Sequence, residues 1–352
     1  MSKKVGILTL HYGLNYGGVL QTYATKETLK ALGYEPIIID RLPDSFSRNY
    51  PKVRQFLHPL TQRAFYAFRQ KELQPATRPI FSSEELRALL QEDFYGIIVG
   101  SDQVWRKEVF SVNGDYYLIK QHDLPLKKVA YSASTGVAHW QYDTQETQQI
   151  KIALQKFSGL SVREAESVPV FKESCGIDVQ NILDPTLIAN PDIYKQLCAK
   201  AKLNGKGKLV TYMLDWSEQK KQLVKQACSA LHLDVQHILP LQKKRNGLLS
   251  RILHQDPTVY DWVNQIATAD FVLTDSFHGM AFSIIFNRPF VVIGNPERGM
   301  ARFTSLLNHF NLTSRLTENT LPDLTAPIDY DTVNVLLNNQ RNLGVKFLKE
   351  SL

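Results

Sequence analysis

Short apolar runs, rich in β-branched residues, alternate along the chain with longer amphipathic stretches. The first run spans residues 5–10, and helical spacing from Gly18 to Leu32 follows it, with Gly33 suited to end a helix. Further strands are predicted at residues 36–40, 97–99, 128–132, 159–163, 179–183, 208–214, 234–239, 270–274 and 289–293. Strands that alternate with helices predict parallel sheets joined by crossover helices.

The turn-rich segment around Asn190-Pro191-Asp192 divides this alternation into two halves. A chain of 352 residues also exceeds the ~100–200 residues that one domain usually takes. We therefore expect an α/β protein with two Rossmann-like lobes, residues 1–190 and 191–330, followed by a helical tail at 331–352. The active site is expected in the cleft between the lobes.

Composition narrows the class of protein. Hydrophobic residues make up 43% and charged residues 21%, which is typical of a globular chain. The longest apolar runs are strand-sized and fall short of the ~18 residues of a membrane-spanning helix. The N-terminus resembles no signal peptide, so we expect a cytoplasmic protein. Cys175, Cys198 and Cys228 suit neither a disulfide framework nor a zinc site, and we expect buried free thiols.

The net charge of +7 is concentrated in one segment. Residues 41–80 hold eight Lys or Arg against two carboxylates, a net charge of +6. Aromatic residues are interleaved there, which predicts either a basic amphipathic surface for an anionic membrane or a solvated helical face. A second basic patch lies at 243–245 with Arg251. Because no nucleic-acid-binding motif accompanies either patch, we expect no nucleic-acid partner.

In open α/β sheets ligands bind beyond the carboxyl ends of the strands, so residues that follow each strand are the first candidates. The glycine-rich turn after the first strand would let backbone approach a ligand and would present helix N–H groups to an anion. A tight strand-to-helix turn is the alternative. The candidates of this turn for substrate binding are His11, Asn15, Tyr16, Gly17 and Gly18.

Two further strand ends in the first half carry polar side chains. Residues 100–105, GSDQVW, offer Ser101, Asp102, Gln103 and Trp105, with Asp102 as a helix cap the alternative. Residues 161–164, SVRE, place Arg163 where a guanidinium could bind phosphate or carboxylate, and a surface pair with Glu164 is the alternative.

The second half contributes a histidine and two cations. His278 follows the strand 270–274 together with Asp275 and Ser276, and a histidine can act as an acid or a base near neutral pH. Arg298 and Arg302 stand at the start of the next helix, where an anion would be favoured. Surface charge is the alternative for this pair.

Missing signatures exclude other classes of enzyme. The chain has no G-x-x-x-x-G-K-[ST], no G-x-S-x-G and no H-E-x-x-H. The first turn is Gly13-x-x-x-Gly17-Gly18 and not G-x-G-x-x-G, which disfavours a nicotinamide enzyme even though Asp40 stands at the ribose-binding distance. Asp329 and Asp331 imitate a metal-binding D-x-D, but helix capping explains them better.

The motifs taken together resemble those of the polysaccharide pyruvyl transferase family, over roughly residues 4–310. They are NYGG at 15–18, QTY at 21–23, GSDQVW at 100–105, SVRE at 161–164, LDPT at 183–186 and TDSFHG at 274–279. The resemblance implies a two-lobed fold similar to GT-B glycosyltransferases. It also implies transfer of the enolpyruvyl group of phosphoenolpyruvate to a sugar, forming a cyclic pyruvate ketal on exopolysaccharides, capsules or cell-wall polymers and releasing phosphate.

By the same resemblance, His278 matches the family histidine, Arg163 the first-lobe arginine and Asp102 the acidic position. One departure is Ser276, which stands where many members have arginine. Our hypothesis is that Arg298 or Arg302 replaces that cation. His278 and Asp102 are then the acid and base, in either order. The scheme needs phosphoenolpyruvate as co-substrate, no cofactor and no metal.

Two other functions remain open at this point. A metal-independent GT-B glycosyltransferase that uses a nucleotide sugar would suit the same architecture, and a non-catalytic assembly protein of a polysaccharide cluster is a third option. The expected acceptor is a glycan, which a lipid could carry at the inner face of the plasma membrane. The segment 41–80 would then hold the enzyme peripherally beside anionic lipid.

Overall fold

The computed structural model describes residues 3–42, 62–110, 114–239, 256–294 and 300–352. The chain forms two compact units and passes from the first to the second between Ala189 and Asn190. Residues 339–352 belong to the first unit, and residues 62–68 belong to the second. The expected division into lobes at 1–190 and 191–330 with a tail at 331–352 stays a prediction.

A six-stranded parallel sheet forms the centre of the first unit, in the order β2-β1-β3-β4-β5-β6. Its strands are β1 (Lys4–Leu8), β2 (Glu35–Ile38), β3 (Gly96–Val99), β4 (Lys127–Ala133), β5 (Gly159–Val162) and β6 (Gln180–Asn181). The helices before residue 190 are α1 (Tyr16–Ala31), α2 (Arg63–Glu72), α3 (Ser83–Leu90), α4 (Lys107–Phe110), α5 (Thr144–Leu154), α6 (Ser167–Cys175) and α7 (Pro185–Ile188). All four residues of β3 are buried, as is usual for a parallel strand that is covered on both faces.

A five-stranded parallel sheet forms the centre of the second unit, in the order β11-β10-β9-β7-β8. Its strands are β7 (Lys208–Tyr212), β8 (Asp234–His237), β9 (Phe271–Thr274), β10 (Phe290–Ile293) and β11 (Leu316–Thr317). The helices from residue 190 onward are α8 (Asp192–Cys198), α9 (Glu218–Leu231), α10 (Val259–Thr268), α11 (Phe277–Ile285), α12 (Ala301–His309) and α13 (Tyr330–Ser351). Leu209, Leu273 and Val291 from three neighbouring strands are fully buried in its core.

The strands predicted from the sequence are present, but several end earlier than expected. β1 ends at Leu8 and β7 at Tyr212, because Leu10 and Leu214 are apolar residues of the turns that follow. The short edge strand β11 was not predicted, since two residues give no periodic pattern. The expected helix stop at Gly33 is present, with that glycine at a φ of +86°.

The basic segment 41–80 is only partly described, and residues 43–61 lie outside the described part together with the patch at 243–245 and Arg251. In α2 the apolar side chains Ala64, Phe65 and Phe68 are buried in the protein. Phe68 packs against Tyr260 with ring centroids 5.6 Å apart. The rings of Phe65 and Phe68 are therefore unavailable for insertion into a membrane, whereas Tyr66 of the same helix is exposed. Among the described helices, none is long and apolar enough to cross a bilayer.

All three cysteines are free, as expected, but only Cys175 is fully buried, whereas Cys198 and Cys228 are half-buried. Burial raises the pKa of the Cys175 thiol to about 11, so it stays protonated at neutral pH. This thiol is therefore a packing group and not a nucleophile.

Candidate active site

Among the predicted site residues, Asp102 and His278 follow strands that flank the topological switch points of the two sheets. In the first sheet β1 is paired with β2 on one side and β3 on the other, so the chain reverses direction across the sheet between β1 and β3. In the second sheet the corresponding reversal lies between β7 and β9. Crevices beyond the carboxyl ends of such strand pairs are where doubly wound folds bind ligands. The loop that holds Asp102 follows β3, and the loop that leads to His278 follows β9.

Asp102 has an unusual backbone conformation. Its φ is +69°, a left-handed value that costs a residue with a side chain about 1–2 kcal/mol. The loop is fixed by two hydrogen bonds to the Asp102 carbonyl, from the amides of Val104 at 2.8 Å and Ser134 at 3.1 Å. One carboxylate oxygen accepts from the Gln103 amide at 2.9 Å. Asp102 is therefore not a helix cap, which was the alternative interpretation.

The other carboxylate oxygen of Asp102 faces the start of α1. A Cβ atom on Gly18 would lie 3.6 Å from Asp102 Oδ2 and 2.8 Å from the Leu10 carbonyl oxygen. Asn15 is the N-cap of α1, and its side chain accepts from the Gly17 amide at 3.0 Å. The first turn of α1 has no acidic residue of its own. The positive end of α1 thus lies beside a carboxylate that comes from the loop after β3.

Three of the sequence motifs meet in a buried network behind Asp102. Ser101 Oγ donates to Asp184 Oδ2 at 2.8 Å, and Arg163 Nη1 donates to the same oxygen at 3.2 Å. Arg163 Nε also donates to Glu164 Oε1 at 2.9 Å. The second oxygen of Asp184 accepts from the amide and the hydroxyl of Thr186. The loops after β3, β5 and β6 are therefore joined by one network of charged hydrogen bonds.

Arg163 is committed to this network. Its side chain is 2% exposed and pairs with two carboxylates. Burial lowers the pKa of its guanidinium, but the charges of Glu164, Asp184 and Asp102 outweigh that effect, and the pKa stands above its ordinary value. The expectation that Arg163 binds a phosphate is at odds with this arrangement, because two carboxylates already pair with its guanidinium. The alternative of a surface pair is also at odds with it, because the pair with Glu164 is buried.

Most other candidates of the first unit that the structure describes are buried or bonded within the protein. Trp105 is fully buried, stacks on Tyr117 with ring centroids 5.0 Å apart and donates to the Tyr116 carbonyl. Ser101 and Tyr16 are buried as well, so direct contact of these side chains with a substrate is not what the structure shows. His11 is 4% exposed, and its Nε2 lies 2.9 Å from Asp40 Oδ1. Gln103 remains partly exposed, against Gly136.

In the second unit His278 lies in the first turn of α11. It is 6% exposed, and its ring packs edge-on against Phe277. The helix begins directly after β9 because Gly279 lets it approach the strand: a Cβ there would overlap the Thr274 side chain. Ser276 is the N-cap residue, but its side chain makes no capping hydrogen bond. Sequence and packing together thus fix His278 at the positive end of a helix at the second switch point.

Asp275 has a structural role that the sequence did not reveal. Its carboxylate is fully buried and accepts from the amides of Leu214 and Asp215, at 2.6 and 3.1 Å. Lys220 Nζ, from the first turn of α9, lies 2.6 Å from Asp275 Oδ2. Asp275 therefore ties the loop after β7 to the loop that leads to His278, and substrate contact, the expected role, is at odds with its burial.

Of the two predicted cations, Arg302 lies among the described residues and Arg298 does not. Arg302 lies in the first turn of α12, which follows β10, the neighbour of β9 in the sheet. Its guanidinium lies 5.0 Å from the centroid of the Phe303 ring, within the range of a cation–π contact.

Four residues of these networks were not among the sequence candidates. Asp184 lies in the motif LDPT and Glu164 in the motif SVRE. Their position at strand ends could have marked them as candidates. Ser134 follows β4 in a polar run, SAST at 132–135. Nothing in the sequence indicates the role of Lys220, since a lysine in the first turn of a helix is ordinarily exposed.

The fold and the two switch-point sites define a class, an α/β enzyme of two Rossmann-like units with polar groups at the carboxyl ends of parallel strands. The particular family follows from a family model, described as polysaccharide pyruvyl transferase, which matches residues 15–297. The chain belongs to this family and is a transferase. A comparison with curated protein sequences finds no match.

Solved structures show the same fold at low identity. UDP-N-acetylglucosamine 2-epimerase from Rickettsia bellii is 11% identical, with a TM-score of 0.54 over 100% of this chain and 96% of that one. UDP-GlcNAc 2-epimerase from Methanocaldococcus jannaschii is also 11% identical, with a TM-score of 0.50 over 96% and 92%. The predicted GT-B-like fold class is confirmed. That the active site lies in the cleft between the lobes stays a prediction.

Proposed function

We propose that this protein transfers the enolpyruvyl group of phosphoenolpyruvate to a sugar of a cell-surface or exopolysaccharide repeat unit, forming a pyruvate ketal and releasing phosphate. Membership of the polysaccharide pyruvyl transferase family supports the reaction class. The observation that carries the proposal is the placement of Asp102, a partly exposed carboxylate in a strained conformation, where three family motifs converge. Strain of this kind is concentrated at functional sites.

The chemistry removes one proton from each of two sugar hydroxyls, delivers one proton to carbon and leaves the other on the released phosphate. Addition of a sugar hydroxyl to C2 of phosphoenolpyruvate forms a C–O bond while the methylene carbon gains a proton and becomes a methyl group. A second hydroxyl then attacks C2, phosphate leaves with the C–O electron pair, and the ketal ring closes. We assign His278 and Asp102 as the acid and base for these proton transfers, in either order.

Phosphoenolpyruvate carries a phosphate and a carboxylate, which call for at least two cations. We assign Arg302 and Arg298 to this task and expect the positive ends of α11 and α12 to assist. Arg163 carries the family position but already pairs with two carboxylates. We therefore give Arg163 the task of holding the loops around Asp102 in place.

The direct test incubates the purified protein with phosphoenolpyruvate and acceptor glycans, and measures phosphate release together with the ketal methyl signal by NMR. We expect both products, and we expect His278→Ala to lower the rate by ~10²–10⁴-fold. His232→Asn is the matched control, because His232 is an exposed histidine of the same unit at the end of α9, and it should leave the rate unchanged.

Two results would overturn the proposal. Turnover of a nucleotide sugar without phosphate release would favour the glycosyltransferase, which the loss of an arginine at Ser276 makes the second candidate. Unchanged ketal formation in cells that carry His278→Ala would favour the assembly protein.

The acceptor that we assign is a glycan repeat unit on a lipid carrier. The protein would then act in the cytoplasm, at the inner face of the plasma membrane, with the basic segment 41–80 beside anionic lipid. No cofactor or metal enters this scheme.

A further inference from the structure

Two left-handed residues lie next to each other at the carboxyl edge of the first sheet. Asp102 has a φ of +69° and Ser132 a φ of +54°, and neither is glycine. Asp102 forms an isolated parallel bridge with Ala133, the residue after Ser132. Strained residues persist only where the surrounding structure holds them. The structure around Asp102 and Ser132 therefore has to contain groups that hold both residues in these conformations.

A β-bulge in β4 accounts for the second strained residue. The pairing with β5 runs from Ala130 opposite Leu160 to Ala133 opposite Val162, so β4 contains one extra residue. The bulge is fixed on both sides, since the Ser132 amide donates to Ser161 Oγ at 2.9 Å and Ser132 Oγ donates to the Leu183 carbonyl at 2.8 Å. Bulges redirect the chain and are frequent beside active sites.

Ser134 is the residue that this redirection brings against the Asp102 loop. Its amide donates to the Asp102 carbonyl at 3.1 Å, and its carbonyl accepts from the Trp105 amide at 3.0 Å. Its hydroxyl donates to Glu164 Oε1 at 2.9 Å and accepts from Arg163 Nη2 at 3.3 Å. Ser134 is fully buried. One serine therefore joins the backbone of Asp102 to the buried ion pair.

We propose that Ser134 is a positioning residue that holds Asp102 in its left-handed conformation from the neighbouring strand. The hydroxyl is anchored to two charged groups that are themselves buried and paired, so the Ser134 backbone has little freedom to move. Because the Asp102 carbonyl bonds to that backbone, the Asp102 carboxylate is directed toward the start of α1. The catalytic consequence of this inference rests on the proposed function of Asp102.

The test replaces the hydroxyl, Ser134→Ala, in the full-length protein and measures two quantities. Hydrogen–deuterium exchange of the peptide 100–106 reports on the Asp102 loop, and steady-state kinetics with phosphoenolpyruvate report on the reaction. We expect exchange of this peptide to rise at least tenfold while the peptide 271–279 of the second unit is unchanged. We expect kcat to fall at least tenfold and the KM for phosphoenolpyruvate to change less than twofold.

Thr25→Val is the matched control, since it removes a buried hydroxyl that donates to the Gln21 carbonyl within α1. It should alter neither the exchange of peptide 100–106 nor kcat. If Ser134→Ala does not fold, Ser134→Cys gives the same comparison with a weaker hydrogen-bonding group.

Unchanged exchange at 100–106 in the Ser134 variant overturns the positioning role, whatever the activity, and so does a rise spread evenly over both units. Raised local exchange with unchanged kcat supports the positioning role but contradicts the catalytic role of Asp102. The two proposals can therefore fail separately.

Discussion

At the scale of single residues, conformation separates Asp102 from its neighbours in the same motif. Ser101 and Trp105 are polar or aromatic residues at a strand end, as Asp102 is, yet they are buried and bonded inside the protein. Only Asp102 in this motif combines partial exposure with a positive φ. A costly conformation at a partly exposed carboxylate supports the catalytic role that we propose for Asp102.

Because Asp102 has a left-handed conformation, we expect glycine to be a more stable replacement than alanine at this position, the reverse of the usual order. Asp102→Gly and Asp102→Ala remove the same carboxylate, but glycine adopts a φ of +69° freely and alanine does not. We expect the glycine variant to be more stable than the alanine variant by about 1 kcal/mol in urea unfolding, with both inactive.

The control for this order is Glu173, an exposed residue of α6, where alanine should be the more stable replacement by ~1 kcal/mol. An alanine variant at position 102 that is as stable as the glycine variant would show that the left-handed conformation is not held.

At the scale of elements, the sequence predicts which strand ends matter but not how they are joined. The strand-end rule depends only on the order of strands and helices, so it could point to the loops after β3 and β9, which follow strands at the two switch points. The bulge in β4 and the bond from Ser134 to Asp102 depend on register between strands that are far apart in sequence. Periodicity within one strand carries no information about such pairings.

The same limit explains why the sequence did not reveal the carboxylate partners of Arg163. A guanidinium at a strand end is equally suited to a phosphate and to a buried carboxylate. The choice depends on Asp184, which approaches through β6, and that approach is visible only in the fold.

The contact between α11 and β9 gives a prediction at this scale. Gly279 faces the Thr274 side chain so closely that a Cβ would overlap it. We expect Gly279→Ala to destabilise the protein by about 1–3 kcal/mol, because the overlap pushes α11 away from the strand. We also expect lower activity below the unfolding temperature, since His278 begins the same helix.

A double variant isolates the cause. Thr274→Ala removes Oγ1 and Cγ2, two of the three Thr274 atoms that a Cβ at Gly279 would meet, and leaves the Thr274 Cβ in place. It also loses the hydrogen bonds of Oγ1 to the Tyr212 carbonyl and from the Ser276 amide. In urea unfolding the double variant should be more stable than the sum of the two single effects predicts, by at least 0.5 kcal/mol, roughly the lower limit for coupled sites. Strict additivity would locate the cost of Gly279→Ala elsewhere.

At the scale of the whole molecule, the positive charge is distributed unevenly along the chain. The net charge is +7, and the segment 41–80 accounts for +6 of it. The structure changes how this segment could meet a membrane, because Phe65 and Phe68 of α2 are buried. These two rings cannot insert into a membrane, so attraction between charges is the mechanism that we expect for this segment.

We accordingly predict that the protein binds vesicles that contain an anionic phospholipid, and that salt abolishes the binding. The exposed cations of the described part of the segment are Arg63, Lys71 and Arg78. Reversing all three to glutamate should weaken binding at least tenfold at low salt, since each cation near an anionic surface contributes ~1 kcal/mol. Arg69 is left intact because it donates to the Tyr12 carbonyl at 3.2 Å.

The matched control reverses three exposed lysines of the second unit, Lys195, Lys206 and Lys225, which changes the net charge by the same amount. Binding measured by vesicle sedimentation should then be largely retained. Equal loss in both variants would mean that total charge and not its location attracts the protein. Binding that persists at 0.5 M salt would contradict a purely electrostatic contact, because screening at that ionic strength acts within about 4–5 Å.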